Sequence, residues 1–271
     1  MKRRSLAGRV ALITGASSGI GRATALALGA VGVRVALVAR RERQLAEARD
    51  AIARCGGTAM AVAADVTDAV SVGRAVDGCV SVFGQLDVLV NSAGVGLFAA
   101  VEETDPADLR AVLDVNVVGT FHATKAALVV MRRQGHGHIV NVASTAGRRG
   151  SPYVGAYCAS KFAVVGLTES LRVELLGSGI DVTLVCPGAT RTPFFDVAVR
   201  RTRHHAGLVG PVETAEAVAA RIVDVVRRPR AEIIAQPVRR RLLFGLNLVA
   251  PRLVDRLIAR IVGAAEARSS G

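Results

Sequence analysis

Seven short runs of β-branched and aliphatic residues recur along the chain, at residues 10–14, 33–38, 59–65, 86–91, 138–144, 181–187 and 232–235, with helix-like stretches between them. Each run is apolar at nearly every position. A strand with one wet face would alternate apolar and polar residues, so these runs suit strands covered on both faces, as in a parallel sheet sandwiched between helices. Strand and helix alternating in this way imply an α/β fold, a doubly wound, mostly parallel sheet of about seven strands with helices on both faces. Ligands of such sheets bind at the carboxyl ends of the strands, which directs attention to the residues that follow each run.

Composition supports one domain over residues 1–271. The chain is 51% hydrophobic, enough for a substantial core, and only the short tails at 1–5 and 268–271 read as disordered. Cys55, Cys79, Cys158 and Cys186 form no Cys-x-x-Cys pair and have no histidines at metal-ligand spacing, so neither a metal site nor a disulfide framework is expected. The basic start Met1-Lys2-Arg3-Arg4 is followed by an apolar run that leads into a glycine-rich turn, not into a cleavage site, and a cytoplasmic protein is expected. The net charge of +13 is uneven, because residues 191–271 carry 15 arginines against 7 acids, a net of +8. A membrane surface, an acidic carrier protein, or solvent alone can face such a surface. With 3% aromatics and no groove-reading motif, nucleic acid is not an expected partner.

The first run ends in Thr14-Gly15-Ala16-Ser17-Ser18-Gly19-Ile20-Gly21, and a strong helix former runs from there to Ala30. Glycines at such a turn let backbone amides approach a pyrophosphate, and the positive end of the helix dipole favours the anion. After the second run stand Arg40 and Arg41, where an enzyme selective for NAD usually places an acid against the ribose 2′-hydroxyl. Arg40, with Arg41 beside it, can instead pair with a 2′-phosphate, so NADP(H) is expected over NAD(H), which stays open. A third feature, Tyr157-Cys158-Ala159-Ser160-Lys161, falls in a helical stretch over 154–176. Four residues apart, phenol and ammonium share a helix face about 6 Å apart along the axis, and a nearby cation lowers a phenol pKa toward neutrality. The residue four positions after Tyr153 is itself a tyrosine.

The glycine turn and the Tyr157/Lys161 pair together resemble the short-chain dehydrogenase/reductase superfamily, and the resemblance covers nearly the whole chain. Asp65-Val66 looks like the family's adenine-contacting pair. Asn91-Ser92-Ala93-Gly94 is similar to its turn after the fourth strand, apart from Ser92 at a usually small position. Asn116 falls where the family's helix-bending catalytic asparagine belongs. Ser144 precedes Tyr157 by the family's usual spacing, and Pro187-Gly188 with Thr192 matches its nicotinamide-carboxamide segment. The resemblance implies a Rossmann fold and a nicotinamide-dependent oxidoreductase, commonly a homodimer or homotetramer. It implies that Tyr157 exchanges a proton with the substrate oxygen while Ser144 bonds that oxygen. Lys161 would grip the ribose and lower the Tyr157 pKa, and Asn116 would hold a relay water. Gly15, Ser17, Ser18, Gly19, Ile20, Gly21, Arg40, Asp65, Val66, Asn91, Ala93, Gly94, Pro187, Gly188 and Thr192 are the further cofactor residues expected.

The substrate is less legible. Residues 189–212 lose the regular pattern and read as a lid, with His204 and His205 able to touch substrate; His122, His136 and His138 read as structural, and Cys158 and Cys186 as packing residues. Residues 237–264 read as a basic amphipathic extension, in which Leu253, Val254, Leu257, Ile258, Ile261 and Val262 repeat at helical spacing and Arg252, Arg256 and Arg260 share another face. It falls short of the roughly 20 apolar residues of a membrane span. Three readings follow: a small-molecule oxidoreductase of lipophilic ketones or alcohols with peripheral membrane contact through this helix, a 3-oxoacyl-carrier-protein reductase, and a nucleotide-sensing or scaffold protein on the same fold.

Overall fold

The computed structural model describes residues 4–202, 212–234 and 238–269, with side chains in the last stretch over 244–263. Strand and helix alternate from the start: β1 (Val10–Thr14), α1 (Gly19–Gly29), β2 (Arg34–Ala39), α2 (Glu42–Arg54), β3 (Ala59–Ala63), α3 (Ala69–Phe83), β4 (Val88–Asn91). A short β5 (Leu97–Phe98) then precedes α4 (Pro106–Leu113), which passes through a π-helical turn at Asp114–Val118 into α5 (Gly119–Gln134). The chain continues through β6 (Gly137–Val142), a 3-10 turn at Thr145–Gly147, α6 (Gly155–Glu174) and β7 (Ile180–Cys186). After short pieces β8 (Thr190–Arg191), α7 (Phe194–Val197), β9 (Val199–Arg200) and β10 (Glu213–Thr214) come α8 (Ala215–Arg227), β11 (Glu232–Ile234), α9 (Val238–Val249) and α10 (Pro251–Ser269).

Seven strands form one sheet in the order β11-β7-β6-β4-β1-β2-β3, and every pairing in it is parallel. Alternate residues of each inner strand feed two separate cores. Ile13, Leu37, Val90 and Val140 pack with α1, α2 and α8, whereas Leu12, Val38, Leu89 and Ile139 pack with α3, α5 and α6. This is why the runs are apolar throughout, each fully buried Leu or Ile contributing roughly 1.5–3 kcal/mol. The outer strand β3 departs from that expectation, being partly exposed along its length because nothing pairs with its free edge.

Strand order reverses between β1 and β4, which lie side by side while their following helices go to opposite faces. The Thr14 hydroxyl accepts hydrogen bonds from the backbone amides of both Ser92 and Ala93, each at 3.2 Å, so the loops after these strands are tied at their roots. Gly15 has φ +69°, and a side chain there would place its Cβ 2.7 Å from Ala93 Cα. The crevice opened by the reversal therefore begins at a contact that only glycine permits.

At the opposite end of the sheet His138 is fully buried, its Nε2 2.8 Å from Thr183 Oγ1. The Thr183 hydroxyl donates to the Arg230 carbonyl, so Nε2 carries the ring proton and Nδ1 is left without a partner. Burial pushes this imidazole down to about 4, with Asp181 opposing and Arg4 reinforcing the shift. Below its ordinary pKa of about 6.5 the unfolded chain binds a proton that the folded chain refuses. Stability is then complete above pH 6.5 and falls toward pH 4, by up to about 1.4 kcal/mol per pH unit from this residue. Thermal melting should drop across that window and drop less in His138→Gln; identical pH dependence in the two proteins would contradict the assignment.

Candidate active site

The amino end of α1 opens into the crevice. Ser18 stands at its N-cap in extended conformation and makes no side-chain cap bond, unlike Asp68, Asp105 and Thr214 at the starts of α3, α4 and α8. The backbone donors of this turn thus face the cleft without a side chain of their own helix covering them. Arg41 reaches over the turn, its guanidinium bonding Ser17 Oγ at 3.0 Å and Ser18 Oγ at 2.7 Å. Arg40, the residue that sequence put first, is 66% exposed and lies 3.7 Å from Asp65 Oδ2. Asp65 Oδ1 accepts from the Thr67 amide at 3.0 Å and hydroxyl at 2.9 Å; partial burial raises its pKa, but these bonds and Arg40 outweigh it and hold the carboxyl below its usual range. Two cations and two hydroxyls therefore gather where the second strand ends.

The catalytic candidates come from three segments. Strand β6 stops at Val142, two residues earlier than the apolar run suggests, and Ser144 caps the 3-10 turn by accepting from the Ala146 amide at 3.1 Å. Tyr157 lies in the first turn of α6, and the Ser144 side chain stands close enough to its phenol to act on its ionisation. Since Ser144 Oγ accepts from Ala146, its own proton is available to the phenol oxygen. One turn on, Lys161 is 5% exposed, with Nζ donating to the Val142 carbonyl at 3.1 Å.

The expected lowering of the Tyr157 pKa by Lys161 is not what this geometry gives. Desolvation pushes the phenol up to about 12, and the Ser144 side chain only partly opposes it. The ammonium is held by Val142 and sits 5.8 Å from the centre of the phenol ring, while burial brings its own pKa down to about 8. Tyr157 is thereby kept protonated across the neutral range, in the state of a proton donor.

Asn116 is fully buried in the π turn. Its amide clamps Val95, accepting from that residue's N–H at 2.8 Å and donating to its carbonyl at 3.0 Å, and it also donates to Ser160 Oγ at 2.9 Å. Ser160 in turn donates to the Tyr157 carbonyl at 2.7 Å, so the asparagine connects the Val95 loop to the catalytic helix. Gly94 runs directly over this pair, a Cβ there falling 3.2 Å from Asn116 Oδ1 and 3.5 Å from Lys161 Nζ.

One cleft of about 690 Å³ joins these parts. Gly15, Ser17, Ser18, Gly19, Ile20, Gly21, Arg40, Asp65, Val66, Ala93, Gly94, Ser144, Tyr157, Lys161, Pro187, Gly188 and Thr192 all line it. Asn116 lies behind the wall. Asn91 also does not line it: its side chain turns to the face shared with Leu89 and donates to Thr124 Oγ1 at 3.0 Å and to Asn141 Oδ1 at 2.9 Å, bracing the sheet against α5. Cys158 and Cys186 are buried thiols raised by burial, the latter to about 12, as suits packing residues. His122 bonds the Val66 carbonyl at 3.1 Å, and His136 lies 3.8 Å from Asp87.

The other half of the cleft is apolar and comes from residues that no motif marked. Phe194 packs 5.4 Å from the Tyr157 ring and Phe195 adjoins it at 5.3 Å. The lid is moored by β9 pairing with β5 and β10 pairing with β8, while His204, His205 and the rest of 203–211 lie outside the described residues. Phe244, Val254, Leu257, Ile258 and Ile261 bring the C-terminal helices against the same space, and Arg149, also on the cleft wall, forms an ion pair with Asp255 of α10. The extension thus packs over the site instead of trailing from it.

Comparison with known proteins agrees with this geometry. Residues 9–202 match the family described as short chain dehydrogenase. The chain is 30% identical over 258 residues to ketoacyl reductase HetN of Nostoc sp., covering 93% of this chain and 89% of that one. It is 40% identical over 189 residues to a 3-oxoacyl-[acyl-carrier-protein] reductase of Synechocystis sp., covering 69% of this chain and 76% of the relative. A short-chain dehydrogenase/reductase from Burkholderia phymatum, solved in complex with NAD, superposes with a TM-score of 0.83 at 30% identity over 92% of this chain and 96% of its own. The fold, the site and these likenesses agree: the chain belongs to the short-chain dehydrogenase family, an oxidoreductase on a Rossmann fold.

Proposed function

We propose that the protein transfers hydride between NADP(H) and a carbonyl or secondary alcohol of a lipophilic substrate, with Tyr157 as general acid and base. The observation that carries this reading is that Ser144 and Tyr157 line one cleft together, between its glycine-lined and its apolar halves. A nicotinamide cofactor fits the first half, where Gly15 leaves no side chain in the turn and the α1 amides are uncovered; Gly15 to Gly21, Asp65, Val66, Ala93, Gly94, Pro187, Gly188 and Thr192 would hold it. Bound there, it supplies or accepts the hydride.

Charge that develops on the substrate oxygen meets two preorganised donors, the Ser144 and Tyr157 hydroxyls, and Tyr157 gives up its proton to that oxygen. Lys161 places its ammonium 5.8 Å from the centre of the phenol ring and would hold the ribose of the cofactor. The Asn116 amide is fully used by Val95 and Ser160, so a relay water would have to bind its main-chain carbonyl, which accepts from Thr120 Oγ1 at 2.8 Å. A panel of ketones assayed with NADPH is the direct test. Tyr157→Phe should lower kcat by at least a thousandfold with cofactor affinity nearly unchanged; near-normal turnover would overturn the assignment, and cofactor binding without turnover of any ketone by the wild type would favour a sensor.

The preference for NADP(H) rests on Arg41 more than on Arg40. Arg41 with Ser17 and Ser18 brings together a guanidinium and two hydroxyls, donors that suit a phosphate, while Arg40 supplies a second, exposed cation. Arg41→Ala should raise the KM for NADPH about tenfold or more, a loss of about 1.5–3 kcal/mol for a charge-assisted bond, with little effect on NADH. An equal effect on both cofactors would contradict it.

Reduction of 3-oxoacyl groups on a carrier protein is the alternative, favoured by the names of two relatives and by the basic last third. The C-terminal wall of Phe244, Val254 and Leu257 favours a free lipophilic substrate. A homodimer or homotetramer is supported by exposed Phe121 and Val129 on α5 and Phe162 and Val173 on α6, and light scattering reads it directly. Four free thiols suit a cytoplasmic setting.

A further inference from the structure

Helix α10 carries more apolar surface than its packing uses. Val254 and Val262 are buried and Ile258 partly so, forming the stripe that faces the domain. Immediately beside it on the helix, Leu253, Leu257 and Ile261 form a second stripe that stays 49%, 36% and 45% exposed. Arg252, Arg256 and Arg260, all exposed, form the third stripe on the far side of the second. Near the end of α9, Leu248 and Val249 are also 84% and 81% exposed. Asp255, the acid within this run, points the other way and is held by Arg149. Leu257 and Ile261 have two roles, since they stand in the exposed stripe and also line the cleft above Tyr157.

We infer that this face docks on an anionic phospholipid bilayer and that the substrate end of the cleft opens into it, so that the substrate is a carbonyl compound dissolved in the membrane. The occupant follows from the order of the stripes. An apolar strip flanked by a row of arginines matches acyl chains beside anionic headgroups, with the guanidinium stems lying along the boundary. Continuity of the strip with the cleft wall gives a lipophilic molecule a path from the bilayer to Tyr157 without crossing water. No helix among the described residues is long and apolar enough to span a membrane, so the contact is peripheral. This inference rests on the lipophilic-substrate reading above.

Flotation of the full-length protein with vesicles of phosphatidylcholine alone, or of phosphatidylcholine mixed with phosphatidylglycerol, tests it. The wild type should float at least tenfold more with the anionic vesicles and be released by high salt. Leu253→Glu and Leu248→Glu should abolish flotation and lower turnover of a long-chain ketone embedded in vesicles at least fivefold, while turnover of a water-soluble ketone stays at the wild-type level. That last measurement separates the two readings, because failure on the soluble ketone would count against the hydride chemistry and not against docking. Absence of wild-type flotation, or a dimer that Leu253→Glu splits into monomers without any vesicle binding, would overturn the inference in favour of a second copy on this face. The lipid and salt dependence of the wild type decides the matter even if a variant fails to fold.

Discussion

The Thr14 hydroxyl, accepting from the amides of Ser92 and Ala93, is the contact on which the site depends. It joins the ends of two neighbouring strands whose chains then part to opposite faces of the sheet, and the cleft is the space they leave. Gly15 stands against Ala93 on one side of the join. On the other, the Ser92–Gly94 turn continues over Lys161 and Asn116 into the Val95 loop that Asn116 clamps. Displacing that turn would disturb the glycine-lined side and the Tyr157 side of the cleft together, since the same backbone borders both.

Burial then sets the chemistry. Lys161 lines the cleft and Asn116 lies behind its wall, and their bonds to Val142, Val95 and Ser160 leave them little freedom to move. Tyr157, packed by Phe194, keeps its proton because desolvation outweighs the effect of Ser144. On the proposed reading, that proton would be ready for a developing alkoxide before any substrate arrives.

Much of this was legible in the sequence because the physics there is local or strictly periodic. Strands that feed two cores must be apolar at every position, which exposed the sheet; the glycine turn and the four-residue spacing of Tyr157 and Lys161 exposed the site. What escaped depends on tertiary direction. Adjacent Arg40 and Arg41 look equivalent in a string, yet Arg41 is the one that folds over Ser17 and Ser18. Asn91 sits in a matching motif, but the strand's alternation turns its side chain to the face of Leu89, away from the cleft. The Phe194 ring beside the Tyr157 phenol comes from a segment distant in sequence, and the reach of the C-terminal helices over the cleft is encoded in contacts between segments about a hundred residues apart, as in Arg149 and Asp255.

The claim at the centre is that this cleft passes hydride to a carbonyl carbon while Tyr157 protonates the oxygen. Turnover of a ketone with NADPH bearing two deuteriums at C4 of its nicotinamide ring, followed by mass spectrometry of the alcohol, addresses it directly. The account predicts one deuterium on the carbinol carbon and a hydroxyl proton drawn from solvent. Oxidation of the cofactor with no deuterium at that carbon would contradict it.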